Sequence, residues 1–407
     1  MRKYFAPLSL LALVACGTQA PTETPLADTI PSSHASDAAA EDPYLWLEDV
    51  EGDAALSWVR GQNERSLAEL PAYEKAAVEA LTSAERIPYG TIRDGMVYNF
   101  WQDDTHVRGL WRRTSLESYA TDSPEWETVL NFDQLAEAEG KNWVYKGADC
   151  FRPKGSDAGY KCMVSLSNGG KDAVIRREFD LSTKQFVEDG FVTPEAKQGG
   201  AWASPDTLLI ATDWGEGTLT ASGYPFIVKR WQRGAPLESA EELIRGQADD
   251  VGVWPMALEL EDGRILQGAA QADTFFTTRY WWFPEGETDP VQWPIPPKSS
   301  PEGVYQGQLL VSLQEDWAPA GQAVSFKSGD LVAFNVDAFI KTRELPPVSL
   351  VFHPSETQAL EGVSIAKGAL LLGVSDTAVG KVMRAEAGDA GWTLETVALP
   401  GTGQASI

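Results

Sequence analysis

A serine, a histidine and a carboxylate held in one hydrogen-bonded line make an acyl-transfer nucleophile, and the 407-residue chain offers few ways to build one. Its three histidines are His34, in a stretch of small and polar residues, His106, in a polar turn between YNFW and GLWRR, and His353, ahead of a proline at a strand end. The sequence identifies no partner for any of them. A nucleophile elbow needs Gly-x-Ser-x-Gly, because the serine rides a strained strand-to-helix turn whose flanks must lack bulk. The nearest string, Gly373-Val374-Ser375-Asp376-Thr377, has threonine at the second glycine position and follows the apolar run ALLLGV with no helical pattern after it. It reads as a strand followed by a turn, and no catalytic residue is expected in this chain.

Metal and cofactor chemistry fare no better. Three scattered histidines and three cysteines give none of the paired spacings of zinc sites. The acidic pairs Asp103-Asp104 and Asp249-Asp250 lack the ordered oxygen-ligand loop of a calcium site and read as solvated turns. No cofactor is expected. With 59 acidic residues, some carboxylate pair always falls at a glycosidase-like separation, so that abundance decides nothing. Trp111, Trp143, Trp231 and Trp281 sit in strand-like runs, where packing between sheets accounts for them better than sugar stacking.

Cysteine chemistry points to the compartment. Arg2 and Lys3 precede an apolar stretch from Tyr4 to Val14, too short to span a bilayer, and Leu13-Val14-Ala15-Cys16 resembles the lipobox of bacterial lipoproteins. Residues 1–16 are expected to be a signal peptide with Cys16 as the lipid-bearing residue. Residues 17–41, rich in Pro, Thr, Ser, Ala and Asp, are expected to be a disordered tether. The protein would then be exported, periplasmic and lipid-anchored to a membrane. Cys150 and Cys162 lie at the inner ends of the strand-like runs WVYKGADC and KCMVSLS, where an oxidising compartment permits a bridge closing about 12 residues, worth roughly 3 kcal/mol. Two free thiols are the other reading. The net charge of -26 argues against nucleic acid, whose phosphates require concentrated Lys and Arg.

The elements come in two kinds. From Asp42 to about Ser83, apolar residues recur at helical spacing (Ala54, Leu56, Trp58, Val59, then Leu67, Leu70, Ala76, Ala77, Ala80, Leu81), predicting two helices separated near Pro71. From Tyr89 on, short runs rich in Val, Leu, Trp, Tyr and Phe are bounded by Gly, Asp, Asn and Pro. Leu110-Trp111-Arg112-Arg113, Val174-Ile175-Arg176-Arg177 and Ile227-Val228-Lys229-Arg230 repeat one pattern, spaced by roughly 50 to 65 residues, so the repeating unit is a sheet of about four strands. The basic pairs are expected to face solvent or a seam between sheets. At roughly 40 to 50 residues per blade, the 320 or so residues after Ser83 predict about seven blades. The expected fold is all-β: a seven-bladed β-propeller over 84–407, its last blade incomplete, preceded by the helical segment 42–83.

The string Asp42-Pro43-Tyr44-Leu45-Trp46-Leu47-Glu48-Asp49, followed by Trp58-Val59 and Gln62-Asn63, resembles the opening of prolyl oligopeptidase family serine peptidases. Similarity continues through YNFWQDDTHVRGLWRRTSLESY and TDWGEGTLTASGYPFIVKRWQRGAPLESA, which look like propeller segments of the bacterial branch. The resemblance implies a seven-bladed propeller that covers an α/β-hydrolase domain and limits substrates to short, proline-containing peptides. It covers about Asp42 to Leu399 and leaves the Ser-Asp-His portion out. On this reading the chain is a monomeric, non-catalytic gating portion, and its partners are short peptides reached through a hydrolase domain beyond it and a membrane reached through the lipid. An inactive, membrane-tethered propeller binding a peptide or envelope ligand is the alternative. The helical segment, with Tyr44, Trp46, Leu47 and Trp58, packs on the hydrolase domain in the family, so an exposed apolar patch is expected there, and an open last blade with an unpaired strand edge.

Overall fold

The computed structural model describes residues 43–49, 52–83, 85–366, 368–388, 391–401 and 403–407. The expected signal peptide with Cys16, and the tether with His34, lie outside the described residues. The chain divides into two compact units, Met1–Ala77 and Val78–Ile407.

In the first unit a single 3-10 turn, Leu45–Glu48, precedes helix α1, Asp53–Glu69. Helix α2, Pro71–Thr82, begins in the first unit and ends in the second, and it starts on Pro71, where the missing N–H is one that a helix leaves unpaired anyway. Of the described residues in the 3-10 turn and α1, Ala55 is the one that is buried. Tyr44, Trp46 and Trp58 are exposed, while Leu47 is half-buried.

The second unit is a series of antiparallel sheets at residues 91–131, 143–196, 199–245, 252–292, 299–352 and 358–397, numbered here as blades 1 to 6. Strands follow one another in chain order within each blade, and blade 2 adds a fifth strand, Val192–Ala196, beside its third. The described residues therefore hold six blades and not the seven expected from length. Their first strands start at residues 91, 143, 199, 252, 299 and 358, so each blade takes 47 to 59 residues. The extra length lies in connections such as the helices Phe132–Glu139 and Val336–Thr342, each capped by an asparagine side chain. The last blade is not the incomplete one expected: Gln358–Ala366, Ala369–Asp376, Val379–Gly388 and Gly391–Val397 form a four-stranded ladder.

Cores lie between blades, which explains the unbroken apolar runs. In the strand Thr207–Ala211, Leu208 and Ile210 pack with Trp202 of their own blade against Met163 and Phe191 of blade 2, while Leu209 and Ala211 pack toward blade 4 with Val253, Ala269 and Phe283. Successive side chains leave opposite faces of a strand. A sheet covered on both faces therefore needs apolar residues at every position. Five such clusters join the six blades in series; among the described residues none joins blade 6 to blade 1.

Candidate functional site

The first strands of neighbouring blades touch one another from blade 3 to blade 6, and so lie nearest the ring axis. Each runs toward one end of the ring and the second strand returns, which gathers the first-to-second turns at one end and the second-to-third connections at the other. These are called the turn end and the loop end below. On the first strands, Arg93 and Lys146 stand against Asp149, Glu259, Glu302 and Glu361, so the charge nearest the axis is acidic on balance and favours cations.

A cleft of about 280 Å³ opens where the first strands of blades 2, 3 and 4 meet, lined by Asp149, Gly200, Trp202, Ala257 and Glu259 among others. Behind it Arg176 is buried, its guanidinium donating to the Asp149 carboxylate and lying against Gly200, where a side chain would collide with it. Burial pushes the Arg176 pKa down, and Asp149 opposes that shift. The Trp202 indole N–H donates to the Asp149 carbonyl at 3.0 Å, tying the same strand to blade 3. The sulfurs of Cys150 and Cys162 are bonded at 2.01 Å, and the two residues are direct cross-strand partners.

The loop end carries the longest connections, residues 212–226 in blade 3 and 314–330 in blade 5. In blade 4 the connection, residues 273–277, is shorter but carries Phe275 and Phe276, 84% and 74% exposed, their rings edge to face at 5.2 Å. They border a cleft of about 440 Å³ whose other walls include Tyr280, Lys298, Ser300 and Gln314.

The histidines have partners that sequence reading did not find. His353 Nδ1 lies 2.6 Å from an oxygen of buried Asp330, whose other oxygen accepts the Lys327 backbone N–H. His106 Nδ1 lies 3.0 Å from Asp103 and 3.0 Å from the Thr105 hydroxyl. Both of those contacts use one ring nitrogen, whereas a triad places nucleophile and carboxylate on opposite nitrogens. Ser375 sits in the second strand of blade 6, paired with Ala359 and Gly380, and a two-residue turn with positive φ at Thr377 and Ala378 follows. No strand-to-helix elbow exists there. The acidic pairs close turns: Asp250 accepts from the Gln247 backbone and the Gln271 amide, both at 2.8 Å, and Asp103 accepts from the Thr105 and His106 backbones. Burial would raise the Asp103 pKa, but its bonds to Thr105 and His106 bring it well below the usual carboxylate range.

The repeated basic pairs lie on the third strands and work mainly at seams. Arg177 reaches Glu139 of the connection before blade 2, and Arg230 donates to Gln267 of blade 4 at 2.9 Å. Arg112 is held between the rings of Trp101 and Trp126, 4.2 Å from each centroid. Burial pushes it down to about 10, with Asp103 opposing and Arg86 adding to the shift.

A family model described as the prolyl oligopeptidase N-terminal β-propeller domain matches residues 25–406. The chain belongs to that family. Among relatives of this prolyl oligopeptidase propeller, an uncharacterized peptidase (y4nA) of Sinorhizobium fredii is 36% identical over 383 residues, covering 92% of this chain and 52% of that protein. An uncharacterized peptidase (RP174) of Rickettsia prowazekii is 28% identical over 367 residues, covering 86% and 50%. A solved post-proline cleaving enzyme from Rickettsia typhi superposes with a TM-score of 0.77 at 27% identity, covering 88% of this chain and 53% of that one. Oligopeptidase B from Trypanosoma brucei, at 16% identity and a TM-score of 0.59, shares the fold, covering 88% and 49%. The prolyl oligopeptidase propeller thus spans about half the length of the curated relatives it matches.

Proposed function

We propose that this propeller is the gating and substrate-selecting portion of a prolyl oligopeptidase-like serine endopeptidase, admitting short, proline-containing peptides to a hydrolase domain carried elsewhere. The observation that carries the reading is the family match over a propeller in which, among the described residues, no serine hydroxyl bonds to a histidine. On this reading the propeller contributes by shaping access. Its tools here are the acidic rim nearest the axis and the apolar Phe275-Phe276 pair at the loop end.

The exposed Trp46, Trp58, Leu67 and Leu70 of the helical unit support a role as the contact surface for that hydrolase portion, because large apolar side chains left in water favour a covering partner. The Cys150–Cys162 bond supports export to an oxidising compartment. Cys16 is proposed as the lipid attachment point; labelling with a radioactive fatty acid should disappear in Cys16→Ser. The functional reading is tested by reading the gene past codon 407 and assaying its whole product on proline-containing peptides of increasing length. Serine-inhibitor-sensitive cleavage of the short peptides only is expected. Turnover by residues 1–407 alone, or equal cleavage of short and long substrates, overturns it.

A further inference from the structure

The first-to-second strand turn is as short as it can be in blades 1, 3 and 5, at two residues each, and takes five in blade 4. Asp94-Gly95 and Gln306-Gly307 have positive φ at both positions, the two-residue turn that suits twisted antiparallel strands. Blade 2 departs from this economy. Nine residues, 152–160, join its strands Trp143–Phe151 and Lys161–Asn168. Nothing in the pairing of those strands requires the extra length, and the Cys150–Cys162 bond ties its two roots together.

The contacts of this loop leave its own blade in two directions. Arg152 forms a two-pronged ion pair with Asp94, in the turn of blade 1, with one bond at 2.7 Å, and its guanidinium stacks 4.5 Å from the centre of the Tyr160 ring. Arg93 of blade 1 approaches the same ring at 5.8 Å. On the other side, Lys154 Nζ donates to the Leu260 carbonyl at 3.4 Å, and a side chain at Gly263 would lie 3.7 Å from its Cβ. Leu260 and Gly263 belong to the turn of blade 4, so this contact passes over blade 3. Other polar bridges between blades, such as Gln306 N–H to Glu261, Arg230 to Gln267 and Arg343 to Glu287, join immediate neighbours. The loop thus spans from the turn of blade 1 to the turn of blade 4, and it starts directly after Phe151, which lines the cleft together with Asp149, Trp202, Ala257 and Glu259.

We infer that residues 152–160 form a strap, rooted by the disulfide and anchored by Arg152 and Lys154, that closes the turn end of the ring so that access is confined to the loop end. The consequence for peptide selection rests on the gating role proposed above; the closure itself does not. The Arg152–Asp94 pair is partly exposed, and ion pairs of that kind contribute little to stability, while Lys154 makes one long hydrogen bond to a backbone carbonyl. Removing them frees the strap without threatening the blades.

The experiment uses the full chain carrying Cys16→Ser and Ala257→Cys, which places one free thiol in the cleft beside the root of the strap. Its labelling by a small maleimide is compared with labelling by a maleimide bearing a long polyethylene glycol chain, with Glu216→Cys as the exposed control. The bulky reagent should react on the order of tenfold more slowly at position 257 than at 216, since reaction there waits on opening of the strap. Adding Arg152→Ser and Lys154→Ser, which leaves the disulfide and the fold in place, should remove most of that difference, as should replacing residues 152–160 by Asn-Gly. Equal rates at the two positions with the strap intact, or no gain on releasing it, overturn the closure. In a gene product carrying the proposed hydrolase domain, faster labelling with an unchanged peptide-length profile would keep the strap and overturn the gating role instead.

Discussion

The helical unit and the blades are built on opposite principles. Helix α1 follows local preference: an extended Gly52 and then Asp53 open a run in which Ala, Leu, Arg, Gln and Glu predominate, but of its seventeen residues Ala55 alone is buried. Its aromatic residues meet each other at the surface, Trp58 edge to face with Trp46 at 6.2 Å. The blades have short strands of modest individual preference, yet Phe132, Phe179, Phe334 and Phe339 are fully buried between them. Burial in the second region is tertiary, whereas the first region keeps most of its side chains in water.

Substitutions can break or sharpen that contrast. Phe179→Ala, which removes a ring packed on Trp111 and Phe186, should cost about 3–5 kcal/mol by denaturant unfolding. Changing both Cys150 and Cys162 to alanine should cost about 3 kcal/mol through the freedom returned to the unfolded chain, seen as a lower melting temperature insensitive to added reductant. Glu178→Gln should cost about 2 kcal/mol: the carboxylate is fully buried and accepts from Arg233 at 2.8 and 3.0 Å and from the Phe191 N–H at 2.9 Å, and the amide leaves the cation unbalanced. Trp58→Ala should change stability by less than about 1 kcal/mol, since its ring is already half in water. A loss as large as that of Phe179→Ala would show that the helical unit has a core of its own.

The smallest effect concerns acid. Hydrogen bonds from Arg113 and then Lys184 lower Glu127 from 4.5 to about 2, tying blade 1 to blade 2. A depressed carboxylate stabilises fully above its unfolded value and loses that contribution as pH falls through the folded one. Stability should therefore decline between pH 4.5 and about 2, and Glu127→Gln should flatten that part of the curve. Because the side chain is 46% exposed, added salt should flatten it too.

Much of this was legible in the residues themselves. TLLIATD and GQLLVSL announce strands covered on both faces, and the DPYLWLED string with the propeller segments carries the family resemblance. The strand followed by a turn at Ser375 was readable from the apolar run ALLLGV and the polar residues after it. The same residues did not reveal the partners of His353 and His106, the burial of Arg176, or the reach of Lys154 to blade 4. Sequence determines what a strand must bury, because side chains alternate between its faces and each face meets water or a neighbour. Blade number, seams and straps depend on which distant segments come to lie side by side. Connection lengths between strands vary too freely for local pattern to fix that, and only the tertiary packing of blade on blade decided it.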